Sequence, residues 1–203
     1  MKSSPKVFII RHGSTNLNGE GGVSEDRIRG WLDVPLNSSG REDAKKAAKK
    51  LSKESPSKIY SSDLVRAHET ASIINQEFGV PIVTTKTLRP WGLGVFQGKK
   101  TSDVIDELNH LVLNDNEVPK DGESFRNFRE RYLKQVKAIM DEAISKNTTL
   151  FIVSHFRNCK TYDAWEAKGF PSDFSISDKV MIEDNVKPGE VIQINLDKYK
   201  GSL

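Results

Sequence analysis

Arg11 and His12 place a guanidinium next to an imidazole, and Gly13 follows them. A guanidinium binds phosphoryl oxygens in a bidentate manner, and an imidazole can act as a nucleophile toward phosphorus. The pair comes directly after the apolar run Val7 to Ile10. Such a run without alternation predicts a strand buried on both faces, and parallel sheets bind ligands beyond the carboxyl ends of their strands. The pattern predicts phosphate chemistry at a sheet edge.

Two further basic side chains follow other predicted strands. Arg66 lies in the opening turn of the helix that follows a strand at Lys58 to Tyr60, and His155 follows the apolar run Thr149 to Val153. A cation in a first helical turn opposes the helix dipole, which indicates that an anion balances it. Because the carboxyl ends of parallel strands meet at one edge, these groups are expected to converge with His12. The set predicts a phosphohistidine mechanism that needs no metal.

The elements between these strands are predicted from apolar periodicity and from capping and turn signals. Strands alternate with helices, which predicts an α/β fold: a three-layer α/β/α sandwich with a mostly parallel central sheet. Residues 1–203 are expected to form one domain with a helical flank or lid at about 99–147. The predicted elements are a helix after Asn37 with a Ser39–Glu42 capping box, a helix after Asp63 that ends at Gly79, a strand at Ile82–Val83, helices at Thr101–Asn114 and Phe125–Ala143, a helix to about Lys168, and a last strand at Val191–Leu196.

Composition excludes several classes of protein. The 203 residues carry a net charge of +3, which is too small to predict a nucleic acid partner. Cys159 is the single cysteine, so no internal disulfide is expected, and the four histidines lack a spacing suited to zinc. No long apolar segment predicts export or a membrane span. We expect a cytoplasmic protein, monomeric or homodimeric, whose partner is a small phosphorylated substrate and which uses no cofactor.

Four segments in chain order resemble motifs of the histidine phosphatase superfamily, which has the phosphoglycerate mutase-like fold. They are Arg11–Thr15, Arg27–Leu36, Ser61–Ala67 and Val153–His155. The resemblance extends over most of the chain. It implies that His12 is the nucleophile and that Arg11, Arg66 and His155 form the phosphate pocket.

Other residues are predicted to contact the substrate. Asn18 stands where the family often has a phosphate-binding asparagine, although a turn-forming role is an equal alternative. Phe156 stands where the family commonly has glycine and is expected to narrow the pocket. Trp91 is expected either to pack in the core or to stack on the substrate. Arg157 is expected on a solvated helix face, with contact to the substrate as the alternative. The predicted substrate-binding set is Gly13, Ser14, Thr15, Asn18, Trp91 and Phe156.

The sequence departs from the family where the general acid is expected. The segment Leu88–Gly98 carries Pro90 and Gly92 at the two positions that resemble the family's acidic residues, and neither can donate a proton. A positioned acid contributes a factor of about 100 to 10,000. Glu20, Glu25 and Asp26 are candidate substitutes, and a substrate with an acidic leaving group, such as an acyl phosphate, is the alternative.

Three functions follow from these observations. The first is a metal-independent phosphatase that hydrolyses a small phosphate ester or anhydride through a phosphohistidine at His12. The second is a phosphate-binding pseudoenzyme that has lost turnover together with its acid. A phosphomutase ranks third, because mutases of the family carry further basic residues around the acid segment, and Pro90 to Leu93 supplies none.

Overall fold

The computed structural model describes residues 4–18, 26–174 and 186–202, and a five-stranded sheet forms its centre. The strands are β1 (Lys6–Arg11), β2 (Pro56–Ser62), β3 (Ile82–Thr85), β4 (Thr149–Ser154) and β5 (Val191–Gln193). They lie in the order β3-β2-β4-β1-β5. Strand β5 is antiparallel to β1 and the other pairings are parallel. The predicted α/β class with a mostly parallel sheet is confirmed.

Helices cover both faces of this sheet. They are α1 (Ser38–Leu51), α2 (Val65–Asn75), α3 (Thr101–Leu113), α4 (Phe125–Lys146), α5 (Phe156–Ala167) and α6 (Leu196–Lys200). Phe8 and Ile10 pack in one core with α1 and α2. Val7 and Ile9 pack in a second core with α3, α4, α5 and α6. Both faces of β1 are therefore buried, which explains why its sequence shows no polar alternation.

The register of the central strands places their carboxyl ends side by side. Arg11 pairs with Ser154 across β1 and β4, and Ser61 pairs with Val153 across β2 and β4. The amide of His12 donates to the Ser154 carbonyl at 2.9 Å and so extends the pairing one residue beyond β1. Residues that follow these three strands therefore meet at one edge of the sheet.

Gly13 makes a close backbone contact with the start of α1. A Cβ atom at Gly13 would lie 2.1 Å from the carbonyl oxygen of Gly40, and one at Gly40 would lie 2.0 Å from that of Ser14. Gly13 is not among the glycines with positive φ. Its lack of a side chain serves the contact between these two backbones, which fixes the loop after β1 against α1.

Three predictions about element ends were wrong. The helix after Asp63 ends at Asn75 and not at Gly79. The last strand ends at Gln193 instead of Leu196, because Asn195 caps α6 by accepting a hydrogen bond from the amide of Lys198 at 2.9 Å. Helix α1 is capped by Asn37, whose side chain accepts from the amide of Gly40 at 2.8 Å, and not by Ser39.

The predicted helical flank at about 99–147 contains α3 and α4. Helix α4 packs on β1, β4 and α5, and α3 contributes Val104 and Leu108 to the same core. Among the helices that the structure describes, none combines the length and the apolar character that a membrane crossing requires.

The capping assignment is testable. We expect Asn37→Ala to lower the free energy of unfolding by about 1 kcal/mol, because it removes the acceptor for an amide in the first turn of α1. The matched substitution Ser39→Ala, on the exposed side of the same turn, should have no measurable effect. Urea unfolding of both variants measures the difference. Equal losses would contradict the assignment.

Candidate active site

A cavity of about 280 Å³ lies at the carboxyl edge of the sheet, and it brings together three of the four predicted catalytic side chains. His12 follows β1, Arg66 is the second residue of α2, and His155 follows β4. All three line the cavity and are almost completely buried. The strand register therefore gathers these groups as the sequence predicts.

The orientation of His12 leaves one ring nitrogen available for chemistry. Nδ1 lies 2.6 Å from the carbonyl oxygen of Gly13, which can only accept, so Nδ1 carries the proton. Nε2 then keeps its lone pair, and Nε of Arg66 donates to it at 3.3 Å. The amide of Gly13 donates to Oγ1 of Thr70 at 3.1 Å, which holds that carbonyl in place. Nε2 is thus the ring nitrogen of His12 that keeps a lone pair inside the cavity.

Arg66 is anchored by backbone carbonyls. Nη1 donates to Leu32 at 2.7 Å and Nη2 donates to Gly30 at 2.8 Å, so the guanidinium ties the segment before α1 to the cavity. Burial, followed by the charge of Arg29, lowers the pKa of Arg66 to about 9. Arg66 remains a cation at neutral pH.

His155 lies beside His12 with unused hydrogen-bonding capacity. The two ring centroids are 5.1 Å apart, and the planes meet at 65°. Neither ring nitrogen of His155 has a hydrogen-bond partner among the described residues, and both are shielded from water. Leaving a buried polar group unsatisfied costs about 1–3 kcal/mol, which a bound phosphoryl oxygen would recover.

Both histidines are neutral in this environment. Burial, then the charges of Arg66, Arg11 and Arg29, holds the pKa of His12 well below its ordinary value. Burial, then Arg66, lowers the pKa of His155 in the same way. The unprotonated imidazole is the form that can attack phosphorus, so the cationic surroundings keep His12 in its nucleophilic state.

Arg11 does not line the cavity. Its guanidinium donates to the carbonyl of Val186 and lies over the ring of Phe156, 5.2 Å from the ring centroid. Phe156 itself lines the cavity, as predicted for a residue that narrows it. In this structure Arg11 acts on His12 through its charge rather than from the cavity wall.

Residues of the loop after β1 that were predicted to contact the substrate form hydrogen bonds within the protein. The amide and hydroxyl of Ser14 donate to the Asp43 carboxylate at 3.1 and 2.7 Å. Asn18 accepts from the amide and hydroxyl of Thr15 at 2.8 and 2.9 Å, so its side chain forms the turn. None of these residues, nor Gly13, is among the residues that line the cavity.

Three arginines outside the predicted site set lie on its wall: Arg27, Arg29 and Arg157. Arg29 donates to the Leu17 carbonyl at 3.0 Å and lines the cavity. Arg157 also lines the cavity, and burial lowers its pKa to about 10, so the prediction of a solvated helix face was wrong. Arg157 is the second residue of α5, as Arg66 is of α2. This shared position in the first helical turn was the sequence signal that could have placed Arg157 in the site.

Asp26 is the acidic side chain that lines the cavity among the described residues. Its carboxylate accepts from Oγ1 of Thr101 at 2.5 Å and lies 3.6 Å from Nη1 of Arg29. Glu20 and Glu25, the other two candidate acids, lie outside the described residues. Of the three candidates, Asp26 is therefore the one with a location in the site.

The segment that lacks the family's acid is held by Arg131. This guanidinium donates to the carbonyls of Arg89 and Pro90 at 2.9 and 2.8 Å, and it forms an ion pair with Glu123. Glu123 in turn accepts from the amide of Gly92 at 2.9 Å. The Glu123 carboxylate therefore has a structural role at this backbone, and Glu123 is not among the residues that line the cavity.

Trp91 is largely a core residue. Its ring is 1% exposed and packs on Phe125 at a centroid distance of 5.0 Å, and Nε1 donates to the Glu123 carbonyl. It also contacts the cavity. Within the part of the chain that the structure describes, no cluster of histidine, cysteine or acidic residues could hold a metal ion.

A sequence profile of the histidine phosphatase superfamily (branch 1) matches residues 7–169. The chain belongs to this superfamily. The resemblance stated from the four motifs is therefore confirmed, and the match includes every element that contributes to the cavity.

Similar histidine phosphatases of known sequence carry mutase names. Phosphoglycerate mutase-like protein 4 of Arabidopsis thaliana is 35% identical over 158 residues, which cover 74% of this chain and 66% of the plant protein. A probable phosphoglycerate mutase, GpmB of Escherichia coli, is 29% identical over the same length, which covers 69% of that protein.

Solved structures share the fold over nearly the whole chain. A mycobacterial glucosyl-3-phosphoglycerate phosphatase, solved with VO3, has a TM-score of 0.75 at 23% identity and covers 94% of this chain and 92% of its own. YhfR of Bacillus stearothermophilus has a TM-score of 0.74 at 29% identity and covers 94% of this chain and 90% of its own.

The neutral histidines predict a dependence of stability on pH. The lowered pKa values mean that the unfolded chain binds protons near pH 6.5 that the folded protein does not, so stability is lost as the pH falls. At pH 5.5 the loss relative to pH 7.5 should be about 1.4 kcal/mol for each of the two buried histidines. Urea unfolding at both pH values should give His155→Gln about half of the total wild-type loss, because only His12 then contributes. An identical loss in both proteins would contradict the prediction.

Proposed function

We propose that this histidine phosphatase hydrolyses small phosphate monoesters through a phosphohistidine at Nε2 of His12. One observation carries the proposal: His12 is a neutral, buried imidazole whose Nδ1–H donates to Gly13, while Nε2 faces Arg66 inside a cavity that also contains His155. The names of the similar proteins include a phosphatase and probable mutases, which supports phosphoryl transfer as the class of reaction.

In the first step the lone pair of Nε2 attacks phosphorus, and the bond from phosphorus to the ester oxygen breaks. The Nδ1–H bond to the Gly13 carbonyl stabilises the positive charge that develops on the ring. The Nε–H of Arg66 turns from Nε2 to a phosphoryl oxygen, and His155 contacts another. Cationic and hydrogen-bonding groups at this position stabilise the charge on the transferring group.

The departing oxygen takes a proton from Asp26 in this proposal. Asp26 lines the same cavity as His12, and Thr101 fixes its carboxylate by a hydrogen bond. In the second step water attacks the phosphohistidine, the nitrogen–phosphorus bond breaks, and Asp26 accepts the proton of the water. His12 and Asp26 return to their initial states, and inorganic phosphate leaves.

A phosphate-binding protein without turnover is the second candidate function. Pro90 lines the cavity on the segment where the family has its acid, and it has no proton to donate. The anion-binding groups would remain even if Asp26 does not replace that acid. A mutase would differ from both, because it would return the phosphoryl group to a substrate hydroxyl and release little inorganic phosphate.

Removal of the nucleophile tests the phosphatase proposal. We expect the wild type to release phosphate from p-nitrophenyl phosphate in the presence of a chelator, and His12→Ala to lower kcat by at least about a thousand-fold. His110→Ala, which removes an exposed histidine on α3, is the matched control and should keep full activity. Acid-labile phosphate on the wild-type protein, absent from His12→Ala, would identify the intermediate. Equal release by the wild type and His12→Ala would contradict the mechanism.

The role of Asp26 is tested with leaving groups of different basicity. We expect Asp26→Asn to lower kcat for an alkyl phosphate by about a hundred-fold, because the departing alkoxide then has no acid. The burst of p-nitrophenol release from p-nitrophenyl phosphate, which reports the first step only, should change by less than about threefold in the same variant, because the leaving phenolate is stable without a proton.

Asp103→Asn is the matched control, since it removes one exposed carboxylate from the first turn of α3. It should affect neither substrate. If Asp26→Asn slowed both substrates equally, Asp26 would act in binding and not as the acid.

A further inference from the structure

One face of helix α3 forms a wall of the cavity. Thr101, Ile105, Leu108 and Asn109 line it, and the spacing of three to four residues places them on one side of the helix. A neighbouring stripe that includes Val104 packs into the protein core. Apart from Thr101, which bonds to Asp26, helix α3 therefore contacts the cavity with side chains that the phosphoryl chemistry does not use.

The cavity lining also includes apolar side chains. Ile105 and Leu108 of α3 share the cavity with Ile28, Leu93 and Phe156. These five side chains come from four separate segments of the chain. A phosphate ester consists of an anionic phosphoryl group and a leaving group. In the proposed function the phosphoryl group is bound by His12, Arg66 and His155. The apolar side chains are available to contact the leaving group.

The volume of the cavity indicates the size of the leaving group that it can enclose. Its 280 Å³ lies near the lower end of the range for ligand pockets, about 300–1,000 Å³. An apolar cavity of about 150 Å³ holds one benzene molecule. The cavity thus has room for a phosphoryl group and a leaving group of about the size of one six-membered ring.

Asn109 adds a polar requirement to this apolar lining. Its Oδ1 is shielded from water and accepts no hydrogen bond from the described residues. An acceptor in that state gains most from a ligand that brings a hydroxyl or N–H donor. Asn109 lies one residue beyond Leu108, at the end of the stripe farthest from Thr101, which bonds to Asp26.

We propose that Ile105, Leu108 and Asn109 form a leaving-group subsite, and that the substrate is the monophosphate of a compact alcohol with an apolar face and a hydrogen-bond donor. This inference rests on the proposed function, since it assigns the part of the substrate that leaves as the alcohol. It places the choice of substrate on α3 and not on the residues that bind the phosphoryl group.

Phosphonates test the subsite separately from turnover, because their carbon–phosphorus bond is not hydrolysed by this chemistry. Calorimetric titration would compare methylphosphonate, benzylphosphonate and 4-(hydroxymethyl)benzylphosphonate with the wild type, Ile105→Ala and Asn109→Leu. Leu113→Ala is the matched control, because Leu113 lies on the same helix, is 63% exposed and is outside the cavity lining.

We expect Ile105→Ala to weaken benzylphosphonate binding by about tenfold and to leave methylphosphonate binding unchanged. In Asn109→Leu, the hydroxymethyl compound should lose its advantage over benzylphosphonate, about tenfold in the wild type. Leu113→Ala should alter no affinity.

The subsite proposal is overturned if Ile105→Ala binds benzylphosphonate as the wild type does, or if it weakens methylphosphonate equally. Binding in the expected order by a protein that releases no phosphate from any ester would support the subsite and remove the phosphatase proposal. Thermal unfolding of Ile105→Ala within a few degrees of the wild type would show that the fold is retained.

Discussion

The hydrogen bond from Nδ1 of His12 to the carbonyl of Gly13 is the interaction on which the site depends. It assigns the proton to one ring nitrogen and leaves the lone pair on the other. Burial and the nearby arginines then make protonation of that lone pair unfavourable. The fold itself therefore maintains His12 in the neutral form.

Several unrelated features of the fold serve this one bond. The Gly13 carbonyl keeps its position because the Gly13 amide is bonded to Thr70 and because the Gly13 backbone packs directly on Gly40. His12 is placed by its amide, which continues the ladder between β1 and β4. The glycine of the Arg-His-Gly motif is thus explained by packing against α1, and the phosphate chemistry depends on that packing only indirectly.

The sequence predicted the convergence of His12, Arg66 and His155, because strand ends in a parallel sheet meet at one edge whatever the intervening loops do. It did not predict where flexible side chains go after they leave that edge. Arg11 reaches the carbonyl of Val186, which is 175 residues away in the chain. Arg157, in the first turn of α5, lines the cavity instead of a solvated helix face. Such choices depend on contacts between distant segments, which local periodicity does not encode.

The sheet order also determines when the site can form. Strand β4 lies between β1 and β2, so these two strands have no native edge in common until residues 149–154 have been made. His12 is synthesised early, whereas His155 and the strand that aligns it come more than 130 residues later. Until then the imidazole lacks the burial and the neighbouring charges that keep it unprotonated. The buried arrangement of His12 with Arg66 and His155 therefore belongs to the completed fold and is absent from the growing chain.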